Sequence, residues 1–289
     1  MHADNGLGDT VWSLARRYAA RMNASPFATA LRTRRMPRQR YVSFLSMMYP
    51  SVVGFNRALI RSITKVDHVR QSGFVKALAE QLKEEQDHNQ MWRRKLEAFG
   101  IDHELLYRSL EEYMARFTPA DLERMTRCVL DALGEDLECT SPGCFPDAIF
   151  PEPVLALYHH LWMTASRDDV HYWEHYASQS AIEAIIFDVV STSVWPGVVG
   201  NPELDAGSAT LQWWKEHARQ GSTESGVPTD EEKHLQLSQL ALNRTHLSGE
   251  MTARVTARAE DTMRLFAATL ICMDHDAGAF RVERFVKQR

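Results

Sequence analysis

The residues best suited to chemistry lie in the segment KEEQDHNQMW, at residues 83–92. Apolar residues recur at helical spacing on both sides of this segment, and the stripe that they form contains Glu85 at its centre, with His88 one turn further on the same side. Because burying an unpaired carboxylate is unfavourable, Glu85 must be paired, protonated or bound to a metal. Glu-x-x-His is the spacing at which one helical turn offers an oxygen and a nitrogen to a single metal ion.

Three other positions repeat this pattern of polar groups on apolar faces. Glu183 interrupts the core-facing stripe of a second predicted helix, and its small neighbours leave room beside the carboxylate. The segment DEEKHLQL contains another Glu-x-x-His pair, Glu231 and His234. His217 ends a Trp-rich segment, where it fits either a metal ligand or a helix cap. The spacing by itself is common, so the metal hypothesis depends on the position of these groups on core faces.

The elements that must position these groups are helices. Helical periodicity dominates the chain and strand alternation is almost absent, which predicts an all-α bundle of seven to eight helices. No composition shift divides the chain, so we expect one domain over residues 1–289, with an N-terminal helical extension at about 1–38. The predicted helical stretches are 9–23, 38–65, 71–99, 103–116, 119–133, 152–194, 203–219 and 231–273.

Composition excludes several functional classes. The 289 residues carry a net charge of −5, which gives no reason to expect a nucleic-acid partner. No apolar run approaches the ~20 residues of a membrane span, and no signal peptide opens the chain, so we expect a cytoplasmic protein. The four cysteines of so long a chain indicate reduced thiols rather than a disulfide framework. They are Cys128, Cys139, Cys144 and Cys272.

Five segments of the chain resemble the heme-oxygenase-like iron oxidases, non-heme enzymes that hold a pair of irons inside a helical bundle. The segments are FLSMMYPSVVGF, LKEEQDHNQMW, SAIEA, WWKEHA and the start of HLQLSQLALN, and the resemblance extends from about Arg40 to Met273. The pattern is most similar to the members that form terminal alkenes from medium-chain fatty acids. The resemblance implies a heme-oxygenase-like fold and a metal-ligand set of Glu85, His88, Glu183, His217, Glu231 and His234.

This resemblance also implies an activity. A member of the family would use Fe(II) and dioxygen to oxidise a small amino-acid-like or fatty-acid-like substrate, in the biosynthesis of a natural product. Glu85, His88 and Glu183 would be the catalytic core of such an enzyme. An apolar wall would protect reactive oxygen species from water. We expect this wall to contain Tyr49, Val53, Phe55, Trp92 and Trp214.

Two features depart from the family pattern. Val53 occupies the position at which family members carry an early ligand Glu, and the insert GSTESGVPT at 221–229 separates His217 from His234. A segment with Gly and Pro cannot continue a helix, so either a loop brings these histidines together or His217 does not belong to the site. We therefore predict one tightly bound Fe(II) and a second, labile one.

Two other functional classes remain open. The same fold hosts cofactor-free enzymes of the thiaminase and pyrroloquinoline-quinone synthase type, in which a carboxylate and histidines perform acid–base chemistry on a heterocycle. The loss of the early Glu fits this class, whereas two Glu-x-x-His pairs do not. A non-enzymatic iron-binding bundle is the other alternative. In the enzymatic classes the expected partner is a small-molecule substrate, and a homodimer is left open.

Overall fold

The computed structural model describes residues 6–134, 137, 143–205, 207–218, 230–272 and 280–287, and within these ranges the side chains of residues 208, 209, 230 and 231 are not described. The described residues form helices and contain no β-strand, only an isolated bridge between Ile101 and Val286. The helices are α1 Leu7–Ala24, α2 Pro26–Arg32, α3 Arg38–Ile63, α4 Ser72–Ala98, α5 His103–Met114, α6 Pro119–Ala132, α7 Glu152–Ser166, α8 Tyr172–Val189, α9 Trp195–Val198, α10 Ser208–His217, α11 Asp230–Asn243 and α12 Gly249–Ile271.

The prediction of an all-α fold is confirmed, but two predicted stretches are each divided into shorter helices. The stretch 152–194 divides into α7 and α8, because the segment after Ser166 leaves the helical conformation and His171 caps a new start. The stretch 231–273 divides into α11 and α12, where the Ser248 hydroxyl accepts the Met251 N–H and caps α12. The helices therefore outnumber the seven or eight expected.

Local sequence signals account for several helix starts. Pro119 lies in the first turn of α6, where its missing N–H leaves no intrahelical bond unmade. Thr118 precedes it and forms a capping box with Asp121, so α6 begins at the residue that the sequence indicates. Asp102 caps α5 by accepting two backbone N–H groups in the same manner.

The longest helices form the centre of the fold. α3 packs against α7 and α4, and α8 packs against α12 and α1. α10 lies along α4, and α11 lies along α1 and α8. α1, predicted as an extension, thus contributes to the main core through residues such as Val11, Ala15 and Met22.

The helical stretch Tyr172–Val198 is long and apolar enough to cross a membrane by length and composition alone. It comprises α8, a short wide turn and α9, and it packs against α1, α11 and α12. Such burial is typical of the core helix of a globular protein, which passes the same test of length and composition.

A disulfide bond joins Cys128 on α6 to Cys144, with Cα atoms 5.9 Å apart. This differs from the reduced thiols expected at these two positions, because folding returns the segment before α7 to the side of α6 and brings the two side chains within bonding distance. Cys272 is buried, and its thiol donates a hydrogen bond to the carbonyl oxygen of Thr269. Cys139 lies outside the described residues.

Candidate functional site

An apolar cavity lies at the centre of the bundle, between α3, α4, α8, α10 and α12. Its volume is about 70 Å³, and its walls carry few polar groups. Most of the wall consists of aliphatic, methionine and aromatic side chains, whereas Glu85, Glu183, His217 and Ser51 supply the polar atoms. The described apolar residues that line it are Met22, Phe44, Met48, Val52, Phe55, Trp92, Leu161, Ile182, Ile186, Val189, Val190, Val194, Trp213, Trp214, Phe266 and Leu270.

A wide helical turn shapes one wall of the cavity. α8 ends at Val189 and continues through a π-helical turn, Val190–Val194, before α9 begins. Val190 and Val194 both line the cavity. Turns of this kind are rare and occur frequently at functional sites, because they change the direction of neighbouring side chains.

A row of charged and polar side chains connects the cavity with the protein surface. Glu85 and His88 lie one turn apart on α4, with Glu85 Oε1 3.4 Å from His88 Nδ1. The other ring nitrogen, Nε2, lies 3.5 Å from Glu216 Oε2 on α10. The Glu216 side chain is 39% exposed, whereas those of Glu85 and His88 are 15% and 12% exposed. The hydrogen bond with His88 holds the pKa of Glu216 below its ordinary value.

His217 lies beside this row and lines the cavity. Its ring stacks on Trp213, with 3.7 Å between centroids, and meets the His88 ring at 4.4 Å. Nδ1 lies 2.8 Å from the Trp213 carbonyl oxygen, which can only accept, so Nδ1 carries the proton and Nε2 is an acceptor. Burial lowers the pKa of His217 far below its ordinary value, and the ring is therefore neutral.

Glu183 supplies the second carboxylate of the cavity, from α8. Glu183 is 8% exposed, and the Gln81 amide on α4 donates a hydrogen bond to its Oε1. An amide satisfies a carboxylate oxygen but brings no positive charge, so this contact does not neutralise Glu183.

A cluster of three tryptophans, Trp92, Trp213 and Trp214, forms the aromatic wall. Its rings pack edge to face, with centroids 4.7–5.3 Å apart. Lys95 is fully buried against this cluster, and its Nζ lies 3.6 Å from the Trp214 centroid. Burial lowers the pKa of Lys95 well below its ordinary value, and Nζ makes no hydrogen bond to another described residue. Lys95 is not among the residues that line the cavity.

The structure brings together most of the predicted site residues. Glu85, Glu183 and His217 line the cavity, together with the predicted wall residues Phe55, Trp92 and Trp214. His88 contacts both Glu85 and His217.

Two other predicted pocket residues, Tyr49 and Val53, are buried but do not line this cavity. The Tyr49 hydroxyl accepts a hydrogen bond from Arg93 of α4. The neighbours Ser51 and Val52 face the cavity on α3. The position at which we expected a vacant ligand site therefore does not open into this cavity.

The second Glu-x-x-His pair lies elsewhere. His234 Nδ1 is 3.3 Å from Glu84 Oε2, and both side chains are more than one-third exposed. His234 thus contacts the neighbour of Glu85 and does not line the cavity. The side chain of Glu231 and the insert 221–229 lie outside the described part of the chain.

The predicted ligands that the structure describes are engaged in several separate contacts. Among the described side chains, no three carboxylate, imidazole or thiol groups lie close enough to share one metal ion. His88 is directed between Glu85 and Glu216, Glu183 is bonded to Gln81, and His234 is paired with Glu84. Divalent iron needs several nitrogen and oxygen donors converging on one point. The contacts with Glu216 and Gln81 use Nε2 of His88 and Oε1 of Glu183, so they do not by themselves prevent the other atom of each group from binding a metal.

Three residues of the site were missed by sequence reasoning. Glu216 is adjacent to His217, and Gln81 is one turn before Glu85, so helical spacing offered a signal for both. Lys95 lies on the same face of α4 as Trp92, but a lysine beside aromatic residues normally indicates a solvent-exposed position.

Comparison with known proteins identifies the fold. No protein-family model matches the chain, and no curated protein matches it in sequence. A solved domain of unknown function from Shewanella denitrificans, described as having a heme oxygenase-like fold, is similar over 96% of both chains, with a TM-score of 0.57 and 12% identity. The chain therefore has a heme-oxygenase-like fold, as the sequence resemblance implied.

Two other solved structures are TenA homologues. One from Pseudomonas syringae pv. tomato has a TM-score of 0.60 and 17% identity, and the match covers 90% of each chain. The other, from P. horikoshii, has a TM-score of 0.56 and 12% identity, and the match covers 96% of this chain and 100% of the homologue. The structural similarity establishes a shared fold, and at identities this low it establishes the fold alone.

Proposed function

We propose that the protein is a metal-independent enzyme that performs general acid–base catalysis on a small, largely apolar molecule. One observation carries this proposal: Glu85 lines a buried cavity and is connected through His88 to the partly exposed carboxylate of Glu216. An acid–base enzyme with a buried site must exchange its proton with solvent between turnovers. A carboxylate–imidazole–carboxylate row performs that exchange.

Each member of the row has a distinct task. Glu85 Oε1 removes a proton from the bound molecule or returns one to it. His88 accepts the proton at Nδ1 and releases one from Nε2 to Glu216, which exchanges with water. The separations of 3.4 and 3.5 Å exceed an ideal hydrogen bond, and such contacts commonly shorten when substrate is bound.

The surroundings favour this chemistry. The apolar walls exclude water, which strengthens each electrostatic interaction of the bound molecule with Glu85 and Glu183. His217 Nε2 offers a fixed acceptor that orients a donor group of the substrate. The TenA homologues among the fold neighbours support the thiaminase-type alternative, since enzymes of that type use carboxylate and imidazole groups on this fold.

Iron-dependent oxidation is the second candidate function. The observation in its favour is that three predicted ligands, Glu85, Glu183 and His217, line one cavity. Iron could bind with both contacts kept, because Gln81 contacts one oxygen of Glu183 and Glu216 contacts one ring nitrogen of His88. We assign no step to a metal, because no three donor groups among the described side chains lie close enough to share one ion.

Turnover by chelator-treated protein under argon tests the proposal. The protein is incubated in D₂O and in H₂¹⁸O with a panel of alkylamines, aminopyrimidines, amino acids and medium-chain carboxylic acids, and products are identified by mass spectrometry. We expect turnover of at least one compound, about 100-fold or more slower in Glu85→Gln, as removal of an acid–base group predicts. We expect His88→Ala to be slower by about 10-fold and to recover with added imidazole buffer.

A matched control separates catalysis from helix stability. Glu80 is an exposed carboxylate on the same helix, and Glu80→Gln should retain full turnover. Turnover that appears only with added ferrous iron and dioxygen would overturn the proposal in favour of an oxidase. Tight iron uptake without any turnover would favour the non-enzymatic bundle.

A further inference from the structure

We infer that the substrate is a small primary amine, bound as an ammonium ion with a short apolar body. That this ligand is a substrate rests on the proposed function. The inference follows from the polar groups of the cavity, its charge balance and its size.

The polar groups that the cavity offers are nearly all acceptors. Glu85 and Glu183 are carboxylates, which only accept hydrogen bonds when ionised. His217 uses Nδ1–H on the Trp213 carbonyl and therefore accepts at Nε2. The Ser51 hydroxyl is the one lining donor among the described side chains apart from the tryptophan N–H groups. A ligand that matches this set must bring several donors of its own.

The charges of the lining residues also favour a ligand that carries a positive charge. Two carboxylates line the cavity, whereas none of its described lining residues is Lys or Arg. Lys95 is fully buried against the tryptophan cluster and is not one of the lining residues, and burial lowers its pKa. A carboxylic acid would place its anion beside Glu85 and Glu183, and like charges repel more strongly between apolar walls than in water.

An ammonium group satisfies both conditions. It carries three N–H donors and one positive charge, which suits two carboxylates and an imidazole nitrogen. The tryptophan cluster lines the same cavity, and the faces of indole rings attract cations. The rest of the wall is aliphatic, so the remainder of the ligand is expected to be apolar.

The cavity volume limits the length of the ligand. At about 70 Å³ the cavity holds roughly five to seven water-sized positions, given that one water requires about 10–15 Å³ of such volume. Amines with about five to seven heavy atoms, such as butylamine to hexylamine, match this space. Octylamine and decylamine exceed it and require the walls to move.

Calorimetric titration of chelator-treated protein tests the inference. The probes are n-alkylammonium chlorides from propyl to decyl, the alcohols of equal length, and the corresponding carboxylates, all at pH 7.5. We expect pentylamine or hexylamine to bind most tightly, at least 10-fold more tightly than pentanol or hexanol. Pentanoate and hexanoate should show no measurable binding.

Variants identify the groups that recognise the charge. Glu85→Gln and Glu183→Gln should each weaken the binding of hexylammonium about 10-fold or more and leave hexanol binding unchanged. The control Glu80→Gln should alter neither, and circular dichroism verifies that each variant is folded. Equal affinity for hexylammonium and hexanol, or tighter binding of hexanoate, would overturn the inference.

Failure of this inference differs from failure of the proposed function. Amine binding is measured without metal and without turnover, so amine binding combined with iron-dependent turnover supports the inference and overturns the function. Metal-independent turnover of a carboxylic acid or neutral compound, with no amine binding, overturns the inference and supports the function.

Discussion

The two halves of α8 carry buried carboxylates in contrasting surroundings. Glu174, in the first turn, is 2% exposed in its side chain and contacts Arg254 at 2.7 Å and Arg258 at 3.6 Å. Glu183, nine residues later, contacts the uncharged Gln81 amide and faces the cavity. The first carboxylate is neutralised by two arginines, whereas the second is not neutralised by its Gln81 contact.

This difference separates stabilising carboxylates from candidate functional ones. Glu174 also accepts the backbone N–H of His171 and completes the capping box of α8. Its contacts with the arginines fix α8 against α12, and its contact with His171 caps the start of α8. The Gln81 contact of Glu183 does neither, and its location in the cavity leaves the carboxylate beside any molecule bound there. Burial alone therefore does not indicate the role of a carboxylate.

The largest effect is expected from Glu174→Gln, which would test the stabilising half of this comparison. The change removes the negative charge that contacts Arg254 and Arg258. Breaking a fully buried pair costs about 3–5 kcal/mol, and the partial exposure of both arginines reduces this to about 2 kcal/mol of unfolding free energy. Urea unfolding measures it. Glu250→Gln, at an exposed position of α12, is the control and should change stability by less than about 0.5 kcal/mol.

A smaller, pH-dependent effect is expected at His175, which lies beside Glu174 and is fully buried. Burial lowers the pKa of His175 to about 3, so the folded protein leaves it neutral while the unfolded chain protonates it below about pH 6.5. The contribution of neutral His175 to the unfolding free energy is complete above about pH 6.5 and is lost as the pH falls towards 3. We expect His175 to reduce the unfolding free energy by about 1.4 kcal/mol between pH 7.5 and 5.5.

Urea unfolding at several pH values measures the contribution of His175. His175→Gln should remove that part of the pH dependence, whereas His68→Gln, at an exposed position, should retain it. An unchanged pH dependence in His175→Gln would show that His175 is accessible to protons in the folded protein.

The smallest effect on stability is expected from Glu183→Gln. Glutamine has the same shape and can still pair with Gln81, so the unfolding free energy should remain within about 1 kcal/mol of that of the parent protein. The same variant should lose ammonium binding in the titration described above. A loss of stability as large as that of Glu174→Gln would remove the contrast between the two halves of α8.

Periodicity predicted the main helices because long apolar stripes specify a buried face. The bounds of α3 and α4 agree with the sequence prediction to within a few residues. The seven-residue α2 was missed, because a segment this short does not complete a recognisable stripe. The disulfide was also missed, because Cys128 and Cys144 are 16 residues apart and no local pattern shows that the chain returns to the side of α6.

The candidate site was predictable in part for related reasons. Glu85 and Glu183 were found because each interrupts an apolar stripe, a signal that sequence carries directly. The partners of these groups depend on how helices lie against one another. Sequence could not show that His234 would meet Glu84 or that Val52 rather than Val53 would face the cavity. Neighbouring positions on a helix differ by about 100° in direction, so small rotations decide such contacts.

The π-turn after α8 determines how far one helix can follow the cavity. In a regular helix the twelve steps from Ile182 to Val194 would leave these side chains about 120° apart around the axis. The extra residue taken up in the wide turn removes about 100° of that rotation. Ile182, Ile186, Val190 and Val194 can therefore line the same cavity. The π-turn thus keeps these side chains on one side of the helix, and they form a continuous wall of the cavity. In an undisturbed α-helix of the same length, the last of them would point away from the cavity.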